Sequence, residues 1–455
     1  MVFIVKPSSS FMKISVFINQ LLALIFIIFQ CSAKAQDSAS ARNDSSSLIF
    51  FNSVHNTDTV YQPVQVSILP MIGTSYQVPG TLITDYSFNV LGGKTHGVRK
   101  LELATLFNID LGDVSYFQMA GVSNLVTGNS KGIQIGGIAN CISGNLQGIQ
   151  FAGIGNLVKG KSNGAQIGGI FNLNIQQSNL FQVAGIVNLN KDTSSGIQIA
   201  GILNAADHRY QGVQIAGIAN VNGDKSSGSM IAGIGNKVKG DFDGLQISGL
   251  YNVVAGSING SQVSGLVNIS KKVQGNQIGV FNISDSISGV PMGFFSYANN
   301  GYHKFELSSN EIFYANASFI TGVNAFHNIF TASVKPTKGG DLLWSFGYGA
   351  GSNIILSKQV SLVLDVTANQ ISKGEFLNKL NLLNKGYLGV EVRLSNKISI
   401  STGPELNVWV TKTNYTDYPN ILAEIHPNVF YHDISNDDKI DLKMWIGWKV
   451  GFRFF

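Results

Sequence analysis

Between residues 97 and 290, apolar and polar positions follow a sixteen-residue cycle. Asparagine closes each cycle at Asn108, Asn124, Asn140, Asn156, Asn172, Asn188, Asn204, Asn220, Asn236, Asn252 and Asn268, and a shortened copy ends at Asn282. Glycine stands three residues earlier from Gly121 to Gly265. Glutamine stands six residues earlier at Gln118, Gln134, Gln150, Gln166, Gln182, Gln198, Gln214, Gln246 and Gln262, with Met230 in the one divergent slot. Apolar, mostly β-branched residues (Ile135, Ile167, Val183, Ile199, Ile215, Ile231, Ile247) alternate with these polar slots, as they do in a strand. A fixed short period builds a stacked or arrayed architecture.

Two architectures satisfy the cycle. The favoured one is a stacked β-solenoid. The best-kept apolar slots, such as Ile167 and Ile170, are three apart with Gly168-Gly169 between them, so a bend at the small pair keeps both on one side. Turns such as Lys159-Gly160-Lys161-Ser162-Asn163 lead into the next coil. Parallel stacking puts like residues on one another, and the amides of Gln134, Gln150, Gln166, Gln198 and Gln214 and of Asn140, Asn156, Asn172, Asn204 and Asn220 form ladders. The alternative makes each repeat one strand in the wall of a larger barrel. Gly148 to Val158 is long enough to cross a membrane, and the slot before each asparagine is freely apolar (Ala139, Phe171, Leu203, Tyr251, Phe281). Against it, antiparallel neighbours would not bring like residues into register, and short turns do not alternate with long loops along the repeats.

From residue 303 the cycle gives way to long strict alternation. Leu342, Trp344, Phe346 and Tyr348 share one face; so do Val360, Leu362, Leu364 and Val366, and Leu388, Val390, Val392 and Leu394. In the last stretch Leu442, Met444, Ile446, Trp448, Val450, Phe452 and Phe454 oppose Lys443, Trp445, Gly447, Lys449, Gly451 and Arg453. An apolar face backed by glycine and charge is the dyad pattern of an antiparallel β-barrel in lipid. Strands are expected at 304–314, 316–325, 328–335, 342–356, 360–368, 386–394, 398–410 and 441–455, with 411–440 as the main surface loop. Eight strands close a barrel filled by side chains. Glu306, Glu311, Asp365, Glu391, Arg393, Glu405, Lys443, Lys449 and Arg453 would point inward and pair.

This region resembles Gram-negative outer-membrane β-barrel proteins. Trp448, Val450, Phe452, Phe454 and Phe455 carry the resemblance, which implies a C-terminal strand read by the barrel-insertion machinery. Phe455 departs from the pattern, because Phe454 holds the apolar phase. The repeats look like glycine-rich surface repeats of exported bacterial proteins of unknown role. Neither resemblance implies one activity.

The N-terminus reads as an export signal. Lys13 precedes an apolar run from Ile14 to Phe29, and Ala33-Lys34-Ala35 offers a cleavage site before Gln36. Met12 opens a better signal than Met1. Gln30 before Cys31 argues against a lipid anchor. The expected organisation is therefore a signal peptide (1–35), a flexible Ser/Asp/Asn-rich segment (36–60), an N-terminal β segment (61–96), the array (97–290) and the barrel (291–455). Charged residues are 13% of the chain, low against a usual ~25%, and no Lys/Arg cluster reads as a nucleic-acid groove.

Candidate chemistry is sparse. With the leader removed, Cys141 is the lone cysteine, which excludes an internal disulfide; in its slot other repeats carry Leu125, Leu157 or Leu173, so it reads as a small core hydrophobe. Gly160-Lys161-Ser162-Asn163-Gly164 spells a hydrolase elbow but lacks the strand and helix that motif needs. His426 and His432 share the long loop with Asp433, Asp437 and Asp438, at spacings that fix no metal geometry. The expected protein has no enzymatic activity and no cofactor. A barrel in outer-membrane lipid anchors an array whose flat ladder of Gln and small residues meets an unknown surface ligand. The alternative is an outer-membrane channel whose wall the repeats complete.

Overall fold

The structure, a computed structural model, describes residues 59–75, 80–337, 340–374, 380–412, 428–435 and 440–454. The expected leader, nearly all of 36–60, Phe455 and the loop residues His426, Asp437 and Asp438 lie outside these. Among the described residues every regular element is a β-strand.

The repeats form a parallel solenoid of about 14 turns over residues 83–298. At strand spacings of about 4.8 Å this is a rod roughly 65 Å long. One coil shows how the cycle folds. A long arm, Leu146–Ala152, is followed by a corner at Gly153-Ile154, a short arm, Gly155–Val158, and a polar turn. Long arms pair with long arms (Gln134↔Gln150, Gln150↔Gln166) and short arms with short arms (Asn140↔Asn156, Asn156↔Asn172), all parallel and in register. This pairing rules out the barrel-wall architecture for the repeats. The corner glycine is demanded by the stack: a Cβ on Gly201 would sit 2.1 Å from the carbonyl oxygen of Gly185, one coil below. In the long arm, Gly212 takes φ +139°, a conformation that L side chains rarely adopt.

The C-terminal domain is a closed antiparallel barrel. Its strands, numbered from its own start, are β1 Lys304–Ser309, β2 Ala315–Val323, β3 Phe326–Pro336, β4 Leu342–Ile355, β5 Val360–Lys373, β6 Asn381–Arg393, β7 Ile398–Lys412, β8 Tyr431–Ser435 and β9 Ile440–Phe454. Neighbours in sequence pair from β1 to β7, β7 pairs with β9, and β9 closes onto β1 (Phe305↔Phe454, Ser309↔Val450). Eight strands thus make the wall. β8, which alternation alone did not reveal, pairs with the start of β9 (Tyr431↔Met444).

Between its β8 and β1 partners, β9 has no strand on that edge, and Glu311 fills the gap. Its carboxylate accepts the Trp448 backbone N–H (3.2 Å) and the Trp445 indole N–H (3.0 Å). Gly447 admits it, since a Cβ there would sit 1.9 Å from Glu311 Oε1. An unpaired edge N–H is a liability that this carboxylate removes.

Candidate functional site

The array buries its polar Gln and Asn rows and exposes many of the apolar residues that alternate with them. Gln150 and Asn156 are fully buried, as are their counterparts along the stack. The apolar residues beside them face out: Ile197 is 40% exposed, Phe181 41% and Leu266 46%. The expectation that the Gln ladder is the presented surface is therefore corrected. The coil interior takes the Gln and Asn rows and, toward the turn side, apolar clusters such as Val126, Ile142, Leu146 and Val158, while Ile on both sides of Gln projects outward. Cys141 is likewise not core. It lies on the outward phase of its short arm, beside buried Asn140 and Ile142, and burial among its neighbours pushes its thiol up to about 11.

The ladders run in opposite senses. Each glutamine donates to the one before it: Gln150 to Gln134 (2.8 Å), Gln166 to Gln150 (2.9 Å), Gln214 to Gln198 (2.7 Å). Each asparagine donates to the one after it: Asn140 to Asn156, Asn156 to Asn172, Asn204 to Asn220, all 2.9 Å. The second asparagine hydrogen goes to a backbone carbonyl of the next coil, as from Asn140 to Phe151. Antiparallel rows of amide dipoles oppose each other inside the stack. Met230 interrupts the glutamine row, leaving Gln246 to donate to its sulfur at 3.5 Å.

A row that donates toward the N-terminus needs an acceptor there. Glu102 and Asp110, both fully buried, supply it: Gln118 donates to both. Burial raises both carboxyls above their usual range, and for Asp110 the neighbouring Glu102 charge adds to the rise. At the other end Gln277 Oε1 accepts no bond. The motif serine Ser162 is inside the coil and donates to Asn174 Oδ1 at 2.8 Å; it is a core hydroxyl, not an exposed nucleophile.

The barrel interior is filled. Arg453, fully buried, donates to Glu306 (2.6 Å), Tyr302 (2.9 Å), Glu391 (3.1 Å) and Asp365 (3.1 Å). Lys449 pairs with Glu306, Lys385 with Glu405, and His327 with Asp365. Lys443 pairs with Asp441 on the inward phase of β9, and Arg393 is at the rim. Trp409, Trp445, Phe313, Leu343, Ile371 and Leu383 pack as an apolar plug toward the end opposite the array. A cavity of about 30 Å³ remains mid-lumen among Glu306, Asp365 and Lys449. A larger one, about 370 Å³, opens at the array end beside Tyr302, Glu391 and Arg393. His432 pairs with Asp441, and among the described residues no group of three or more His, Cys, Asp or Glu is placed to hold a metal ion.

Outside, the wall is apolar: Val366 is 66% exposed, Trp448 57%, Phe452 47% and Val450 46%. The array meets this outer wall. Phe294 of the last coil stacks on Tyr348 (4.7 Å) and meets Phe330 edge-on (5.4 Å). Thr321 Oγ1 donates to the Ser296 carbonyl and Asn328 to the Gly293 carbonyl. Phe330, Tyr348, Thr321 and Asn328 all lie on the outward phase of their strands. No family model, curated protein or solved structure matches this chain.

Proposed function

We propose that this is a non-enzymatic outer-membrane protein, anchored by its barrel, whose array serves a structural or binding role. One observation carries the reading: a closed barrel with an apolar outer belt and a lumen in which the buried charges are paired. Such a wall needs an apolar surrounding, and such a lumen needs none of the solvent a pore would supply. The filled interior and the apolar plug weigh against the channel alternative. The export signal expected at residues 1–35 and the aromatic register of Trp448, Val450, Phe452 and Phe454 favour the outer-membrane reading.

Loop lengths suggest which way the array faces. It joins the barrel at the end where the strand links are short, residues 324–325, 356–359 and 394–397, and where β9 finishes. The longer links, 374–380 and 413–430, are at the opposite end. Outer-membrane barrels keep short turns in the periplasm and long loops outside. The array then lies on the periplasmic side, and its binding role is exerted there and not on the cell exterior. Membrane fractionation with protease added to intact and to permeabilised cells tests this. Array fragments should appear only after permeabilisation; a freely soluble mature protein would overturn the anchor.

A further inference from the structure

Through the middle of the array, charges concentrate along one edge. Lys159, Lys191, Asp207, Arg209, Lys239 and Asp241 all fall in the turns between coils. The corner and the arm positions next to the buried Gln and Asn present mostly apolar side chains outward, whereas the turn-proximal start of the long arm is polar and exposed (Lys131, Asn163, Gln211, Asp243), and Lys237, Lys271, Lys272 and Asp285 interrupt the apolar surface. The cross-section is amphipathic: mostly apolar around the corner and the adjoining arm positions, polar along the turn edge and the start of the long arm. Exposed apolar surface of this extent marks an interaction site or a membrane surface.

The junction indicates what covers it. The last coil does not sit over the barrel mouth but leans on the outer wall of β2, β3 and β4, through Phe294 on Tyr348 and Phe330. Phe330 and Tyr348 continue the outward row that includes Val334 and Phe346, 40% and 48% exposed. Polar residues of that outward face at the junction, Thr321 and Asn328, are bonded to array carbonyls. The apolar flank of the array is thus one surface with the apolar belt of the barrel. Along most of its length the flank repeats the same small set of apolar side chains in register, which suits a continuous apolar phase.

We propose that the array lies on the membrane, its apolar arms seated in the lipid leaflet beside the barrel and its turn edge in water. This rests on the outer-membrane reading of the barrel. The partner is a lipid surface, held by apolar burial as an amphipathic helix is held at an interface.

The test uses full-length protein with Cys31 and Cys141 replaced by Ala, reconstituted in phosphatidylcholine vesicles carrying brominated acyl chains. A bimane label is placed in turn at Ile199→Cys, Leu203→Cys, Arg209→Cys and Val366→Cys. Fluorescence at Ile199→Cys or Leu203→Cys should fall as far as at Val366→Cys, while Arg209→Cys is quenched by aqueous iodide alone. Quenching at Val366→Cys without loss at either arm overturns the membrane seat and leaves the barrel anchor standing. Arm labels shielded from both quenchers mean a protein covers the flank, which also overturns it. No bromine quenching at Val366→Cys sinks the anchor itself.

Discussion

The array and the barrel both turn many apolar side chains outward and bury rows of polar ones, yet they satisfy the buried polarity in opposite ways. In the array the buried polarity is mostly neutral amide, and through the regular coils the ladder bonds join residues sixteen apart, as Asn188 to Asn204 and Gln198 to Gln182. In the barrel the interior is ionic, and Arg453 gathers partners 62 to 151 residues away. The difference follows from periodicity. A stack can repeat a hydrogen-bond unit that donates and accepts at once, so neutral amides suffice and no coil is unique. A closed wall of eight non-repeating strands brings distant side chains together once, and complementary charges fill that space with a single arrangement. The array is a lattice with two special ends; the barrel is a single knot of contacts.

The sharpest way to break this comparison is at a lattice position. Gly201→Val puts a side chain against the Gly185 carbonyl, and the stack has no local freedom to yield without disturbing both neighbouring coils. A loss of more than about 4 kcal/mol is expected, in the range reserved for severe steric or core failures. Asn163→Ser, on an exposed position beside the turn, should change stability by under about 0.5 kcal/mol. Limited proteolysis of the array reads both, and equal resistance would refute the stacked geometry.

The barrel should break through charge instead. Arg453→Met leaves Glu306, Asp365 and Glu391 buried without their shared cation. Removing one partner of a buried ion network costs about 3–5 kcal/mol. Denaturant unfolding in detergent micelles should show that loss in the barrel while the array's protease resistance persists. If array and barrel fail together, the two are one cooperative unit and the contrast drawn above is wrong.

A smaller effect concerns the array's N-terminal end. Glu102 and Asp110 have raised folded-state pKa values, so their stabilising contribution is complete in acid, below the ordinary carboxyl range. It is lost as pH climbs through the raised values. Asp110→Asn places there the residue that three later coils already use: Asn174, Asn190 and Asn222 each donate to the glutamine of their own coil. The variant should melt a few degrees higher than the parent at neutral pH and equal it only in acid below the ordinary carboxyl range. A parent whose stability rises between mild acid and neutrality would contradict the assignment.

Much of this was legible from residue spacing. The sixteen-residue recurrence of Gln and Asn gave the stack and its ladders, and period-two alternation gave all eight wall strands. What alternation cannot state is which of two faces is inner. Ile149 and Gln150 alternate equally well with either one buried, and the narrow bore decides it. Contacts across long separations left no local trace either. Nothing near Glu311 announces that it seals an edge at Trp448, 137 residues on, and nothing near Phe294 announces the barrel wall. Glu102 was readable in principle, since it occupies a glutamine slot six residues before Asn108.

Met230 offers the finest probe of the lattice. Its sulfur stands where an amide would accept from Gln246 and donate to Gln214. Sulfur is a weak acceptor and a thioether has no hydrogen to give. The glutamine row is therefore cut between Gln214 and Gln246, while Asn222 donates to Gln214 at 3.0 Å as Asn174 and Asn190 do in their coils. Restoring the row with Met230→Gln adds one full amide link and strengthens another in a dry interior, at a net gain of about 1 kcal/mol. Met230 also packs in an apolar cluster with Val238, Phe242 and Val254, so the substitution removes some apolar burial. The sign of the change decides which term governs the coil interior. Higher resistance to unfolding in Met230→Gln means the ladder dominates; lower resistance means that the apolar end of the stack, where Met230 lies, is held by packing.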